Sequence, residues 1–230
     1  GARYYDPRVS TWVSTDPALP KYIDRKEGNS VFQPMTLSLY AYVNFNPLVL
    51  SDPTGEEVKA LFNNRTKQLY IIDTDTGKDM TVRAESGLLG NTNENDSFKG
   101  PLPQGNYDIL DYGGEKNQFR LEAKDENYGD DKQEGTGRSQ FRLHGPGTSL
   151  GCISACKTKS EWNTTAKSIR DTKTSTTQVK SKSILGKLFN SKESIKKFGE
   201  LKVSDGNFQK EMQKMKAEVQ KNLSKSKDDN

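Results

Sequence analysis

The sequence predicts a mainly β protein, a β-sandwich or sheet domain with a short helix. Short runs alternate apolar and polar residues, the period of a half-buried strand. Turn-forming pairs of Gly, Pro, Asn and Asp punctuate those runs. Apolar residues make up only 31% of 230 residues, and mean hydropathy is −0.91. So little apolar surface for so long a chain predicts that part of it is extended, disordered or dependent on a partner.

Residues 1–55 differ in texture from the rest. They are rich in Tyr, Pro and Asn, with turn pairs at Asp6-Pro7, Asp16-Pro17, Asn46-Pro47 and Asp52-Pro53-Thr54-Gly55. Between them lie strand-like runs at Arg3-Tyr4-Tyr5, Thr11-Trp12-Val13 and Leu39-Tyr40-Ala41-Tyr42-Val43. The chain opens at Gly1 in mid-pattern, which predicts the C-terminal piece of a longer protein.

Residues 56–206 form a second, β-rich segment. Leu69–Asp73 and Met80–Ala84 flank a turn at Asp75-Thr76-Gly77 and predict a hairpin. Asn106–Leu110, Gln118–Ala123 and Gln140–His144 predict further strands. Alternation through the last puts Phe141 and Leu143 on one face, Arg142 and His144 on the other. Gly100-Pro101-Leu102-Pro103-Gln104-Gly105-Asn106-Tyr107 is a stiff turn feeding a strand. Residues 124–137 are acidic and Gly-rich and suit an exposed loop. Ser160 to Arg170 suits a short helix with Ser160 as N-cap. Residues 172–191 read as a Ser/Thr/Lys insertion, a candidate for disorder, and Glu200–Val203 as a last strand. In 207–230, Phe208, Met212, Met215, Val219 and Leu223 make one apolar stripe on a basic helix.

Charge is uneven. Residues 173–230 carry 14 lysines against 7 acidic residues, and the remainder carries 21 basic against 24 acidic. The lysines are mixed with Ser, Thr and acids, without interleaved aromatic residues, which argues against nucleic-acid binding. No apolar run approaches the roughly 18 residues of a membrane span. The acidic segment 124–137 does not have the spacing of an EF-hand.

The chain has one histidine and two cysteines. His144 precedes Cys152 by eight residues in a glycine-rich stretch, Phe141-Arg142-Leu143-His144-Gly145-Pro146-Gly147-Thr148-Ser149-Leu150-Gly151-Cys152-Ile153. A thiol attacks carbonyls as thiolate, and a nearby imidazole is its usual activator. Cys152 is therefore the expected nucleophile and His144 the base. Other readings are a small buried hydrophobe, a metal site and a Cys152–Cys156 disulfide. His144, Cys152 and Cys156 supply three N/S ligands but match no common zinc spacing, so neither metal nor cofactor is expected. The disulfide is strained if both cysteines lie on one element.

Two family resemblances follow. Ala2-Arg3-Tyr4-Tyr5-Asp6-Pro7, Ser14-Thr15-Asp16-Pro17, Leu39 to Pro47 and Asp52-Pro53-Thr54-Gly55 resemble the end of the Rhs core, the YD-repeat shell that encapsulates toxins. In that family the Asp-Pro-x-Gly element ends the shell and a variable toxin follows. The resemblance implies Asp52 as an autocleavage candidate. Downstream, Ser86-Gly87, Gly100 to Tyr107, Gly137-Arg138 with Phe141 to Gly145, and Ser149-Leu150-Gly151-Cys152-Ile153 resemble the L,D-transpeptidase-like effectors of type VI secretion.

The implied organisation is the end of an Rhs β-shell over 1–55, an L,D-transpeptidase-like domain over 56–206, and a helical basic tail over 207–230. The implied substrates are peptidoglycan stem peptides in the periplasm of a target bacterium. Cys152 would attack the diamino-acid carbonyl and expel D-alanine, with water or a D-amino acid as acceptor. Gly151 and Cys152 amides would form the oxyanion hole, and Ser149 would orient His144 or bind substrate. Arg138, Arg142, Gly145 and Ser86 fall on the substrate side, with either arginine able to fork onto a carboxylate. The implied partners are a cognate immunity protein, the Rhs shell and the secretion machinery. Alternatives are another Cys–His peptidase or amidase, a non-catalytic binding module with a basic tail, and a cytosolic nuclease.

Overall fold

The structure, a computed structural model, describes residues 5–6, 11–12, 57–112, 117–181 and 191–228. The chain divides into two compact units, Gly1–Gly55 and Glu56–Asn230. In the first, β1 (Tyr5–Asp6) pairs antiparallel with β2 (Thr11–Trp12), Tyr5 opposite Trp12. The other Rhs-like elements, Asp52 among them, lie outside the described residues.

The second unit is built on a closed barrel rather than the expected sandwich or open sheet. Its strands are β3 (Val58–Asn63), β4 (Gln68–Asp73), β5 (Asp79–Ser86), β6 (Gly105–Asp111), β7 (Gln118–Ala123), β10 (Arg142–His144), β11 (Ile153–Ala155) and β13 (Lys192–Ser204). They run β13-β3-β4-β5-β11-β10-β7-β6, and β6 pairs back onto β13. Two short strands, β8 (Lys132–Gln133) and β9 (Arg138–Ser139), form a separate ribbon.

Closure depends on β13. Its second half pairs with β3 on one side and β6 on the other, Leu201 standing opposite both Ala60 and Tyr107. Its first half pairs instead with β12 (Ser175–Lys180). Part of the expected insertion is thus a strand, and the last strand is far longer than its Glu200–Val203 core predicted. The two halves meet at a register shift between Lys197 and Gly199. Gly199 packs directly on β3: a Cβ there would lie 2.0 Å from the Val58 carbonyl oxygen.

Alternation fills the barrel from every strand: Val58, Ala60 and Phe62, Leu69 and Ile71, Tyr107 and Ile109, Phe119 and Leu121, Leu143, Ile153, Leu201 and Val203. Helix α1 (Lys159–Arg170) adds Trp162, Ala166 and Ile169 to this core, a spacing of 4 and 3 that selects one helix face. Its N-cap is Thr158, not Ser160. Thr158 accepts from the Glu161 amide while Glu161 reaches back, a reciprocal capping box.

The outer side of β3 and β4 is buried too. Leu61, Tyr70 and Ile72 pack against Phe208, Met212, Met215, Val219 and Leu223 of α2 (Phe208–Asp228). The apolar stripe of the basic tail therefore docks on the chain's own barrel. Lys216 pairs with Asp79 at 2.7 Å and Lys59 with Glu218 at 2.7 Å at the rim of this contact. Burial of a Phe or Val side chain contributes about 2 kcal/mol, so Phe208 and Val219, both buried, outweigh these exposed ion pairs.

Gly199→Ala is expected to destabilise the protein by about 2 kcal/mol, because the new methyl meets backbone that cannot rotate away. Urea unfolding with an unchanged slope and a lowered midpoint checks it.

Candidate active site

β10 and β11 are adjacent and parallel, with Leu143 opposite Ile153 and His144 opposite Ser154. Leu143 and Ile153 fill the barrel, so Arg142, His144 and Ser154 face outward. Cys152 immediately precedes β11 and shares that outward parity.

The imidazole is fixed by the backbone. His144 Nδ1 lies 2.7 Å from the carbonyl oxygen of Gly145. A carbonyl only accepts, so Nδ1 carries the proton and Nε2 keeps its lone pair in the neutral ring. The Ser154 hydroxyl donates to the same carbonyl at 3.2 Å. Gly145 is required here: a Cβ would lie 2.4 Å from the Trp162 ring. Trp162 is itself held by donation from Nε1 to the Asn117 carbonyl at 2.8 Å. Sequence reasoning found His144 and Gly145 but not Ser154 or Trp162. Their partners come from β10 and the loop before β7, which local spacing does not reveal.

Cys152 is half-buried, and its Sγ lies 3.8 Å from the Gln140 carbonyl oxygen. Gln140 turns that carbonyl by adopting φ +63°, rare for a side-chain-bearing residue. Among the described residues no hydrogen bond joins Cys152 to His144, so the expected direct pair is not formed in this state. Burial pushes the Cys152 thiol up from its ordinary value. The Arg142 amide and the charges of Arg142 and Arg138 oppose that rise, and Asp131 adds to it. The resting group at neutral pH is therefore the neutral thiol, which needs a base to become the nucleophile. Cys156 is also free; its Sγ is 3.5 Å from Thr165 Oγ1, and burial raises it as well.

The residues expected to touch substrate are engaged with the protein instead. Arg138 is buried, its Nη1 donating to the Glu94 and Pro101 carbonyls at 2.7 Å each and its Nη2 to Gly100 at 2.9 Å. A Cβ at Gly151 would sit 2.1 Å from that Nη2, and Gly151 has φ +119°. Ser86 accepts from the Leu102 amide at 2.7 Å and donates to the Gly151 carbonyl at 3.2 Å. Ser149 donates to the Cys152 carbonyl rather than to His144.

Arg142 forks onto a carboxylate, but the carboxylate is Asp131, with two bonds of 2.7 Å. Its guanidinium also stacks over Tyr112. Arg120 and Glu122 extend this into a buried ionic cluster: Arg120 bonds Glu122 and lies 3.5 Å from Asp131, and Glu122 accepts from the Gly129 and Asp131 amides. The segment 124–137, expected as an exposed loop, is pinned by that cluster. Buried charges persist only when paired in this way.

A groove of about 600 Å³ opens beside His144. Asn117, Gln118, Gly145, Pro146, Lys159, Trp162 and Asn163 complete its lining. No group of three or more His, Cys, Asp or Glu able to hold a metal ion occurs among the described residues.

Fold and site together define a barrel bearing a histidine at the end of one strand and a cysteine just before its parallel neighbour. A Tlde1 domain is found at residues 88–180, by match to that family's model. That family is one of type VI secretion L,D-transpeptidase-like effectors. The matched segment contains both His144 and Cys152 and excludes residues 1–55. No curated protein matches the chain. Among solved structures, that of Bdellovibrio bacteriovorus Bd1075 aligns at 13% identity and a TM-score of 0.37. The alignment covers 76% of this chain and 58% of that one, so this chain spans less than two thirds of that chain's length. No helix among the described residues is long and apolar enough to cross a membrane.

Arg138→Ala is expected to cost about 3 kcal/mol, since it strands three carbonyls and empties a buried site; thermal denaturation measures it. Alkylation of Cys152 by iodoacetamide should rise with pH to a midpoint above that of an ordinary thiol. Arg142→Met should move that midpoint higher still, because it removes the opposing charge while the Asp131 carboxylate stays. A midpoint that falls in the variant contradicts this electrostatic assignment.

Proposed function

We propose that the chain is the C-terminal toxin region of an Rhs-type protein. Its barrel then acts on peptidoglycan stem peptides in the periplasm of a target bacterium. The observation that carries the reading is the coincidence of the Tlde1 match with the only histidine and a half-buried cysteine on adjacent strands. Cys152 serves as nucleophile and His144 as base.

In the first step the Cys152 thiol rotates about χ1 from the Gln140 carbonyl toward His144. Nε2 takes its proton as Sγ bonds to the carbonyl carbon of the diamino-acid residue. The tetrahedral oxyanion is received by the amides of Gly151 and Cys152. Carbonyl and N–H of one trans peptide point in opposite directions, so Ser86, by holding the Gly151 carbonyl, aims the Cys152 amide. Each preorganised donor is worth about 3 kcal/mol in the transition state. The carbon–nitrogen bond then breaks, and the departing D-alanine amine takes the proton from His144, leaving a thioester. In the second step water, or the amine of a D-amino acid, loses a proton to His144 and attacks the thioester. The proton returns to sulfur. Hydrolysis leaves a shortened stem peptide; aminolysis leaves an exchanged one. Either product is a poor donor for cross-linking. A cognate immunity protein is the expected antagonist in the producing cell, and the Rhs shell and secretion machinery are the expected carriers.

Purified protein incubated with tetrapeptide muropeptides should release D-alanine or incorporate a supplied D-amino acid. Cys152→Ala should abolish this and His144→Ala should lower it at least a hundredfold. Mass analysis decides: unaltered tetrapeptides with the wild type, or whole stem peptides freed from glycan as an amidase would free them, sink the reading.

A further inference from the structure

We infer that the groove beside His144 is the leaving-group and acceptor subsite, and that Lys159 selects a D-amino acid by its free α-carboxylate. The inference rests on the proposed acyl-transfer reaction for its direction and on the groove for its chemistry.

The direction follows from strand order. β7, β10 and β11 are adjacent in that sequence. His144, on the middle strand, stands between the groove wall at Asn117 and Gln118 and the thiol that leads into β11. The acyl carbon goes to sulfur, and the departing amine must reach the imidazole for its proton. Whatever is attached to that amine continues past His144, away from Cys152, and enters the groove. The same path in reverse admits the incoming amine of an acceptor.

The chemistry follows from the lining. The wall is prefixed: Asn117 Nδ2 donates to Asn163 Oδ1 at 2.9 Å, and Trp162 Nε1 donates to the Asn117 carbonyl. Gly145 lies flush against the Trp162 ring, leaving no side chain between imidazole and indole. Among the described residues, Lys159 is, apart from His144, the one ionisable side chain lining the groove. It occupies the first position of α1 and has no ion-pair partner among the described residues. An ammonium without a counter-charge, beside amide groups and an aromatic face, suits a small zwitterion or carboxylate. A terminal D-alanine is such a group after cleavage and carries the carboxylate before it. A leaving group that continued as glycan or as peptide would have no free carboxylate on the residue that carries the departing amine.

Two measurements test this, the second independently of the reaction. In the first, turnover is compared for stem tetrapeptides ending in D-alanine and in D-alaninamide. The wild type should prefer the free carboxylate by about tenfold in KM, the factor expected of one exposed charge-assisted contact. Lys159→Gln should reduce that preference to about one, and Lys159→Arg should retain most of it. In the second, Cys152→Ala protein is titrated with D-alanine and with D-alaninamide while the Trp162 indole N–H resonance is followed. D-Alanine should shift it, the amide should not, and adding Lys159→Gln should remove the shift. Lys159 is solvent-exposed at a helix start, so these substitutions do not threaten the fold. A carboxylate preference that survives Lys159→Gln, or an equal response of Trp162 to acid and amide, overturns the subsite even if the enzyme is active. Selective, Lys159-dependent binding without any turnover upholds the subsite and removes the proposed reaction instead.

Discussion

The surroundings of Cys152 depend on one buried cation. Arg138 spends its donors on the carbonyls of Glu94, Gly100 and Pro101, and so ties the long β5–β6 connection to the strand ribbon that precedes β10. Hydrogen bonds from a charged donor are worth about 1.5–3 kcal/mol each, and they add to the apolar anchor of this loop, Leu102 in the core, while Leu88, Leu89 and Phe98 are exposed. Gly151 then lies on the guanidinium, closer than any side chain permits. Ser86 completes the knot by bridging the Leu102 amide and the Gly151 carbonyl. The position of the residue before the nucleophile is thus decided by three segments far apart in sequence.

This knot explains what was legible in the sequence. Ser86, the Gly100-Pro101-Leu102-Pro103 turn, Arg138 and Gly151 are the residues on which the L,D-transpeptidase resemblance rested, and in the structure they bond to one another. Spacing exposes them as a set but cannot say what they touch: Ser86 and Arg138, expected on the substrate side, bond the backbone of the turn and of Gly151 in this structure. Strand periods were readable where charged and apolar side chains alternate, as in Gln118–Ala123, whose Arg120 and Glu122 are buried as a pair while Phe119 and Leu121 fill the barrel. They failed at Val58–Asn63, where Phe62 enters the barrel and Leu61 goes under α2, leaving no polar alternation to detect. Closure of the barrel was equally hidden, because it rests on β13 pairing with both β3 and β6. Nothing within Lys192–Ser204 announces two partners, except Gly199 at the point of closest approach.

The resting state of the thiol also follows from strand geometry. Parallel neighbours normally need a crossover of a dozen residues or more, yet β10 and β11 are joined by the eight residues Gly145–Cys152. That is feasible because each strand has only three residues, so the chain has a short distance to retrace. The cost is an offset. The residue in register with Ser154 is His144, and Cys152 lies two residues behind it, about 7 Å along the strand direction. The thiol consequently finds the Gln140 carbonyl and the Arg142 amide before it finds the imidazole.

That offset separates storage of the nucleophile from its use. A thiol raised by burial and donating to a carbonyl has little thiolate character, and thiolate is the form that oxidants and adventitious electrophiles attack. His144, for its part, already has the tautomer a base needs, because Gly145 accepts from Nδ1 and Ser154 steadies that carbonyl. In the proposed reaction the Cys152 thiol leaves the Gln140 carbonyl by rotation about χ1 and closes that offset toward His144. A stem peptide that occupied the carbonyl-rich side of the thiol would compete for Gln140 and favour that rotation. Binding energy from the substrate would then be used to form the reactive pair, which is the differential use of binding that raises turnover rather than affinity alone.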